Sequence, residues 1–230
     1  MNKKNYTYFT FLILLAVVFF FIDILTGSVH IPLNDIFSIL FSKGVETKSW
    51  EIIILQTRLP KALAAICCGI ALSVSGLTMQ TLFKNPLAGP YILGISSGGG
   101  LGVAIYIMGL SILGISASSL SFSGGLGIIL FSILGSLLVL GILLLVINRL
   151  KDIMTVLILG VMIGSVITAL IGIIQYFSYD GQLKSFIMWT MGDLSSITNN
   201  QLIILFPVVI FGLFFSILLS KPLNTYLLGE

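Results

Sequence analysis

Long apolar runs with few interrupting charges are the feature that most constrains this chain. Of its 230 residues, 57% are hydrophobic and 8% are charged, whereas a soluble domain carries about 25% charged residues. A backbone in lipid must satisfy its own hydrogen bonds, and a helix of about 20 apolar residues does so. We therefore expect an all-α, polytopic membrane protein. Since no hydrophilic block separates the runs, we expect one membrane domain over residues 1–230.

Six of the runs are long enough to cross a bilayer. They cover residues 8–25, 62–83, 91–109, 126–148, 153–177 and 201–219. We expect the last helix to end at Lys221 and Pro222, because proline has no amide with which to continue the helix. The first run is also compatible with a cleaved signal peptide, but it exceeds the usual apolar length of about 7 to 15 residues and no Ala-x-Ala pattern follows it. An uncleaved first helix is therefore favoured.

Two stretches between the runs have mixed composition and predict short helices outside the hydrocarbon core. The first stretch covers residues 27–56, where Pro32 precedes an apolar patch at 36–41 and Asn34 is a candidate N-cap. The second covers residues 178–200, where charged and aromatic side chains alternate. That composition is typical of a helix lying at the membrane interface.

Small residues recur every four positions on the third and fifth runs. The repeats are Gly94, Gly98 and Gly102 on the third run, and Gly160, Gly164, Thr168 and Gly172 on the fifth. Residues four apart lie on one face of a helix, and small side chains let a second backbone approach closely. The spacing predicts that both faces are packed interfaces.

Charge counting gives a weak preference for a cytoplasmic N-terminus. Six crossings place both termini on one side of the membrane. With that side cytoplasmic, the basic residues facing in are Lys3, Lys4, Lys84, Arg149, Lys151 and Lys221, and those facing out are Lys43, Lys48, Arg58, Lys61 and Lys184. This six-to-five ratio follows the positive-inside rule only weakly, because Arg58 and Lys61 stand at the outer mouth of the second run.

The sequence offers little for catalysis or metal binding. It has no G-x-x-x-x-G-K-[ST] phosphate loop, His30 is its single histidine, and Cys67 and Cys68 are adjacent, which is not a metal-ligand spacing. The net charge of +3 is spread without a basic run, which disfavours nucleic acid as a partner. We expect no catalytic residues, no metal site and no cofactor.

Other classes of membrane protein remain as alternatives. A secondary transporter would carry ionisable residues at helix centres, and a membrane enzyme would carry clustered Asp, His or Cys at the interface; the sequence shows neither pattern. A noncatalytic scaffold is harder to exclude from the sequence alone.

The stretch from Arg58 to Gly100, RLPKALAAICCGIALSVSGLTMQTLFKNPLAGPYILGISSGGG, closely resembles the signature of the FecCD-type permeases. These are the membrane subunits of ATP-binding-cassette (ABC) importers for ferric siderophores, haem and cobalamin. A second block, LILGVMIGSVITAL followed by FIMWTMGDLSS, resembles the same family's fifth helix and the external helix after it.

The resemblance implies a ten-helix permease fold and a set of partners. It implies a multi-pass protein of the bacterial inner membrane with an ABC ATPase subunit, a second permease subunit, and a periplasmic or lipid-anchored substrate-binding protein. ATP hydrolysis would occur on the ATPase, and alternating access would carry the substrate across the membrane. The chelate, and the choice between a homodimer and a heterodimer, are left open.

The resemblance also implies roles for particular residues. Arg58 and Lys61 match a basic pair that docks acidic residues of the binding protein; the alternative is two interfacial cations that extend to water. The segment formed by Asn85, Pro86, Leu87 and Ala88 matches the cytoplasmic gate loop; the alternative is a turn needed only for connectivity. Ile153, Met154 and Thr155 fall at the second gate, although they differ from the usual polar residues there.

The family's fifth helix lines the central path, which gives the fifth run a second role besides packing. Gln80 and Gln175 are candidate substrate contacts, with hydrogen bonding to backbone as the alternative. The chain also departs from the family, because Gly229 and Glu230 stand where the ATPase-coupling helix would begin. We therefore expect a gene fragment, a frameshifted product or a truncated chain that does not transport by itself.

Overall fold

The described part of the chain is mainly helical. The structure, a computed structural model, describes residues 3–41, 47–112, 114, 125–147, 149 and 152–228. Over these residues no β-strand occurs, and six helical stretches are long and apolar enough to cross a membrane. The predicted all-α, polytopic fold is confirmed.

The helices are numbered in chain order. They are α1 (Lys3–Leu25), α2 (Leu33–Leu40), α3 (Lys48–Ile53), α4 (Leu59–Leu82), α5 (Ile95–Ala104), α6 (Leu110–Ile112), α7 (Leu126–Ile147), α8 (Ile153–Tyr176), α9 (Asp180–Thr190) and α10 (Asn199–Leu228). Two π-helical segments, Ile54–Arg58 and Ile105–Gly109, join α3 to α4 and α5 to α6.

The second span is longer than predicted. It runs without a break over Lys48–Leu82, 35 residues in all, and not from residue 62. Pro60 is responsible for the irregular turn inside it, because a proline has no amide to donate to the carbonyl four residues before it. The amide of Leu59 instead donates to the carbonyl of Ile54, five residues back. A π-helical turn of this kind lets the chain pass the proline without leaving the helix.

The predicted end of the last helix at Pro222 is wrong. The helix α10 continues through Pro222 to Leu228. A proline in a helix interior removes one backbone hydrogen bond. In lipid no water is present to bond the other backbone groups if the helix unwinds, so the helix continues past the proline.

Two other boundaries differ from the prediction. Asn34 is not an N-cap, because Pro32 sets the extended backbone before α2 and its carbonyl accepts from the amides of Asp35 and Ile36. The third span begins at Ile95, four residues after the predicted start, because Gly94 adopts a φ of +70° that no helix continues through.

Contacts divide the chain into two compact units. The first, called the N-terminal unit, consists of the described residues of Met1–Gly69 and Leu194–Val208. Its core is a cluster of aliphatic side chains from α1, the loop after it, α2, the first π-helical segment and the start of α4: Ile24, Ile31, Ile36, Ile39, Ile54 and Ala62. This cluster fixes the end of α1 against the start of α4.

The second, called the central unit, consists of the described residues of Ile70–Asp193 and Val209–Glu230. Its helix α5 packs against both α7 and α8. The main cluster joins the loop after α4 to these helices through Phe83, Ala88, Leu93, Val139, Leu143, Val156, Leu157 and Ile167. That a single domain covers the chain stays a prediction.

Candidate docking residues and gate segments

Arg58, a predicted docking residue, is buried against the end of α1. Its side chain is 7% exposed. One guanidinium nitrogen, Nη1, donates to the carbonyls of Ile24 at 2.9 Å and Leu25 at 3.3 Å, and Nη2 donates to the carbonyl of Val29. The last carbonyls of a helix have no partner within the helix and carry partial negative charge. Arg58 therefore satisfies the C-terminal end of α1.

Lys61, the second predicted docking residue, remains accessible. Its Nζ lies 3.2 Å from Oδ1 of Asp23, and the two side chains are 45% and 35% exposed. The pair borders a cavity of about 170 Å³ that is lined by Asp23, Thr26, Gly27, Ser28, Ile53, Thr57, Arg58, Lys61 and Ser195. Of the two predicted docking residues, only Lys61 presents its charge at a surface.

The predicted gate segment forms a compact turn after α4. Oδ1 of Asn85 accepts from the amide of Leu87 at 2.9 Å, and the carbonyl of Asn85 accepts from the amide of Ala88 at 3.0 Å. Asparagine commonly closes a turn in this way, and the two prolines restrict the backbone around it. The turn is thus held by its own hydrogen bonds.

The same turn has a buried side and an exposed side. Ala88 is 2% exposed and packs in the main cluster of the central unit, whereas Leu87 is 82% exposed. Lys84, which precedes the turn with a φ of +46°, places its Nζ 4.5 Å from the ring centroid of Tyr226 on α10. The turn is therefore joined to its surroundings in two ways: Ala88 packs in the cluster, and the preceding Lys84 contacts the ring of Tyr226.

The predicted second gate is the first turn of α8. Asp152 caps this helix, since its two carboxylate oxygens accept from the amides of Met154 and Thr155, each at 3.3 Å. The hydroxyl of Thr155 also donates to Oδ2 of Asp152 at 3.2 Å. An aspartate just before an apolar run is an N-cap signal, so this contact was readable from the sequence but was missed.

Glycines of the third span make the predicted close contacts with α7. A Cβ added at Gly102 would lie 1.9 Å from the carbonyl oxygen of Phe131, and one added at Gly98 would lie 2.6 Å from the carbonyl oxygen of Gly135. No real Cβ approaches another atom so closely, so α5 and α7 meet backbone to backbone. The packing expectation is met at these two positions.

The fifth-run glycines divide into two groups. A Cβ at Gly160 would lie 2.8 Å from the carbonyl oxygen of Ile92, and one at Gly164 would lie 3.4 Å from Cα of Gly94. Around Gly172, in contrast, nothing lies within 4 Å of such an atom. The repeat therefore marks an interface at the start of α8 and an open surface near its end.

A second cavity, of about 380 Å³, lies beside this interface. It is lined by Tyr91, Ile92, Ser97, Gly160, Val161, Gly164, Ser165 and Thr168. The hydroxyl of Thr168 donates to the carbonyl of Gly164 at 2.8 Å and that of Ser165 to the carbonyl of Val161 at 2.9 Å. Small hydroxyl-bearing residues thus line this surface without presenting a charge.

Some predicted residues stay untested. Gly229 and Glu230, predicted to begin the coupling helix, lie outside the described residues. For Gln80 and Gln175 the structure records only backbone bonds: their carbonyls accept from Asn85 and Ser178. Across the described ranges, no group of three or more His, Cys, Asp or Glu side chains is placed to hold a metal ion.

Sequence comparison connects the chain to a family of transport proteins. The model of the FecCD transport family matches residues 14–230. A "Probable iron chelatin transport system permease protein" of Helicobacter pylori is 33% identical over 83% of this chain and 54% of its own length. The vitamin B12 import system permease protein BtuC of Klebsiella pneumoniae is 36% identical over 95% of this chain and 60% of its own length.

Two further similarities agree with this connection. The molybdate import system permease protein MolB of Haemophilus influenzae is 31% identical over 95% of this chain and 62% of its own length. A solved structure described as an inward-facing conformation of a "metal-chelate type ABC transporter" superposes with a TM-score of 0.74 and 26% identity, covering 93% of this chain and 62% of that one. The chain spans a little over half the length of the relatives it matches. By its family match, which covers nearly all of the sequence, this chain belongs to the FecCD transport family.

Proposed function

We propose that this chain is a permease subunit of an ABC importer that carries a metal chelate or a related cofactor across the bacterial inner membrane. The observation that supports this most is the family match over residues 14–230. A ferric siderophore is the first candidate substrate, because one relative is named for an iron chelatin. The vitamin B12 and molybdate permeases among the relatives keep the class of substrate wider than iron.

Under this proposal the chain works with three partners: an ABC ATPase, a second permease subunit, and a periplasmic or lipid-anchored substrate-binding protein. Alternating access moves the substrate, and the N-terminus faces the cytoplasm. No phosphate loop occurs in the sequence, so the energy of ATP is supplied by the ATPase partner.

We propose that the binding protein docks at the start of α4. Lys61 supplies an accessible charge there, whereas the guanidinium of Arg58 is buried. An exposed ion pair is worth about 0–1 kcal/mol, so the docking pair sets orientation and association rate more than affinity. Lys61 is the contact residue in this proposal, and Arg58 supports it.

We propose that the turn at 85–88 and the first turn of α8 are the cytoplasmic gates. Both are short, capped by a side-chain oxygen, and joined to helices through the cluster that holds Ala88 and Val156. Because such turns hold their own shape, a shift of the attached helices moves them as units. The surface with Thr168 then lines the path at the interface with the second permease subunit.

Copurification tests the proposal. The full chain, tagged and coexpressed with the binding protein of the same transport system, is expected to retain that protein. Changing Lys61→Glu should slow association with the binding protein by about five-fold or more, because it replaces attraction by repulsion at the contact. Association rates are measured by surface plasmon resonance.

Lys48→Glu is the matched control, since Lys48 is also an exposed lysine of the N-terminal unit. An equal change in both variants would indicate a general charge effect and no docking site at Lys61. Failure of the chain to retain the binding protein would contradict the proposed permease function itself.

A further inference from the structure

We infer that Arg58 is a positioning residue: it clamps the end of α1 to the start of α4, and so holds Asp23 beside Lys61. It does not itself contact a receptor. The clamp is a property of the chain alone, and only its consequence for docking rests on the proposed function.

The irregular turn before Pro60 directs Arg58 toward α1. The π-helical segment Ile54–Arg58 inserts an extra residue into the turn, which rotates the following side chains about the helix axis relative to a regular α-helix. Ile54, at 0% exposure, and Arg58, at 7%, both face inward. Pro60 thus determines where the charged side chain of Arg58 is buried.

The end of α1 matches a guanidinium better than any other cation. Three carbonyls, those of Ile24, Leu25 and Val29, accept from two nitrogens of one side chain. A guanidinium carries its donors in a rigid planar fork, whereas a lysine ammonium is a single point from which all donors diverge. The positive charge also faces the negative end of the α1 dipole.

Gly27 gives independent support, because the loop after α1 is shaped around the guanidinium. A Cβ at this position would lie 2.5 Å from Nη2 and 2.7 Å from Cζ of Arg58. No larger residue fits there without displacing the side chain. A glycine in the loop and an arginine on the helix therefore form one contact.

The clamp has a direct consequence for the neighbouring ion pair. Asp23 is the residue before Ile24, whose carbonyl Arg58 holds, and Lys61 lies one helical turn after Arg58. If the end of α1 frays, Asp23 moves away from Lys61. Arg58 then acts on docking through the position of Lys61 and its acidic neighbour.

Hydrogen exchange of the full chain in lipid nanodiscs tests the clamp. In the wild type the amide of Thr26 bonds to the carbonyl of Ile22 at 2.9 Å. We expect Arg58→Leu to speed exchange in residues 22–29 by about ten-fold or more, because hydrogen bonds to a charged group are lost from a buried site. Gly27→Ala, a smaller change, should do the same by displacing the guanidinium.

Two comparisons sharpen the result. Gly27→Ala should add nothing in the Arg58→Leu background, since the atoms it would meet are gone. Lys61→Gln, the control, should leave exchange in residues 22–29 within about two-fold of the wild type, because exposed ion pairs contribute little. Unchanged exchange in both Arg58→Leu and Gly27→Ala would overturn the clamp.

Binding of the system's own substrate-binding protein separates positioning from contact. Arg58→Leu should weaken binding in the wild-type background and cause no further loss in the Lys61→Gln background. A further loss there would show that Arg58 makes its own receptor contact, and the positioning role would be wrong. If Lys61→Gln alone leaves binding unchanged, the docking proposal fails, and hydrogen exchange still decides the clamp.

Discussion

Two residues of the same chemical type can differ in their surroundings: one contacts backbone atoms in the interior, and the other lies at an open surface. Arg58 and Lys61 lie three residues apart and carry the same charge, yet one is 7% exposed and the other has a side chain that is 45% exposed. The same holds for glycines. Gly102 and Gly172 belong to similar repeats, but only Gly102 faces a second backbone.

This difference predicts opposite effects of one substitution. Gly102→Ala should destabilise the protein by about 1–3 kcal/mol or more, because its Cβ would overlap the carbonyl of Phe131. Gly172→Ala, the matched control in open space, should be neutral or stabilise by up to about 1 kcal/mol, since alanine favours helix. Thermal unfolding in detergent measures both, and equal midpoints for the two variants would contradict the packing described.

At the scale of helices, the sequence predicts the positions of the spans well, but it does not predict that a helix continues through Pro60 and Pro222. The predicted span 126–148 agrees with α7 over the described residues, and the predicted span 153–177 extends one residue beyond α8. The last helix was predicted to end at Pro222, yet this proline lies within α10. Pro60, just before the predicted start of the second span, also lies within a helix. The reason is that proline costs one hydrogen bond, whereas unwinding a span in lipid costs several.

The candidate site was less predictable than the spans. The sequence indicates which residues resemble docking and gate positions, but partners that lie far away in the chain carry no local signal. Gly27 and Arg58 are 31 residues apart, and Lys84 and Tyr226 are 142 apart. Only tertiary structure brings either pair together.

The contact between Lys84 and Tyr226 predicts a measurable effect on the gate turn. In a background without Cys67 and Cys68, Ala88→Cys should react slowly with maleimide, because Ala88 is 2% exposed. Adding Tyr226→Leu should raise the labelling rate by about two- to five-fold, the equivalent of an exposed cation–π contact of about 0.5–1 kcal/mol.

Tyr226→Phe is the control for this experiment, since it keeps the ring and the cation–π contact and loses only the hydroxyl. Its labelling rate should match that of the parent. If Leu and Phe at position 226 give the same rate, the ring does not hold the turn.

At the scale of the whole molecule, hydropathy determines most of what is observed. Six stretches are long and apolar enough to cross a membrane in the sequence, and six helical stretches are so among the residues that the structure describes. Hydropathy does not determine direction, because basic residues are nearly balanced between the two sides. The orientation with a cytoplasmic N-terminus therefore stays a prediction.

Cysteine labelling in spheroplasts tests this orientation with two exposed positions of the central unit. Tyr179 is 69% exposed and is predicted to face out, and Leu87 is 82% exposed and is predicted to face in. In the background lacking Cys67 and Cys68, Tyr179→Cys should react with a membrane-impermeant maleimide in intact spheroplasts, and Leu87→Cys only after permeabilisation. The reverse pattern would invert the topology.

The backbone contact between Gly98 and Gly135 limits how α5 and α7 can move relative to each other. At this contact the two main chains meet directly, with no side chain between them that could rearrange, so the helices slide or tilt only by breaking the contact. We expect α5 and α7 to move together as one rigid body in the proposed alternating-access cycle. Rotation is then expected at the N-terminal end of α5, where Gly94 and the turn at 85–88 join this helix to the rest of the central unit.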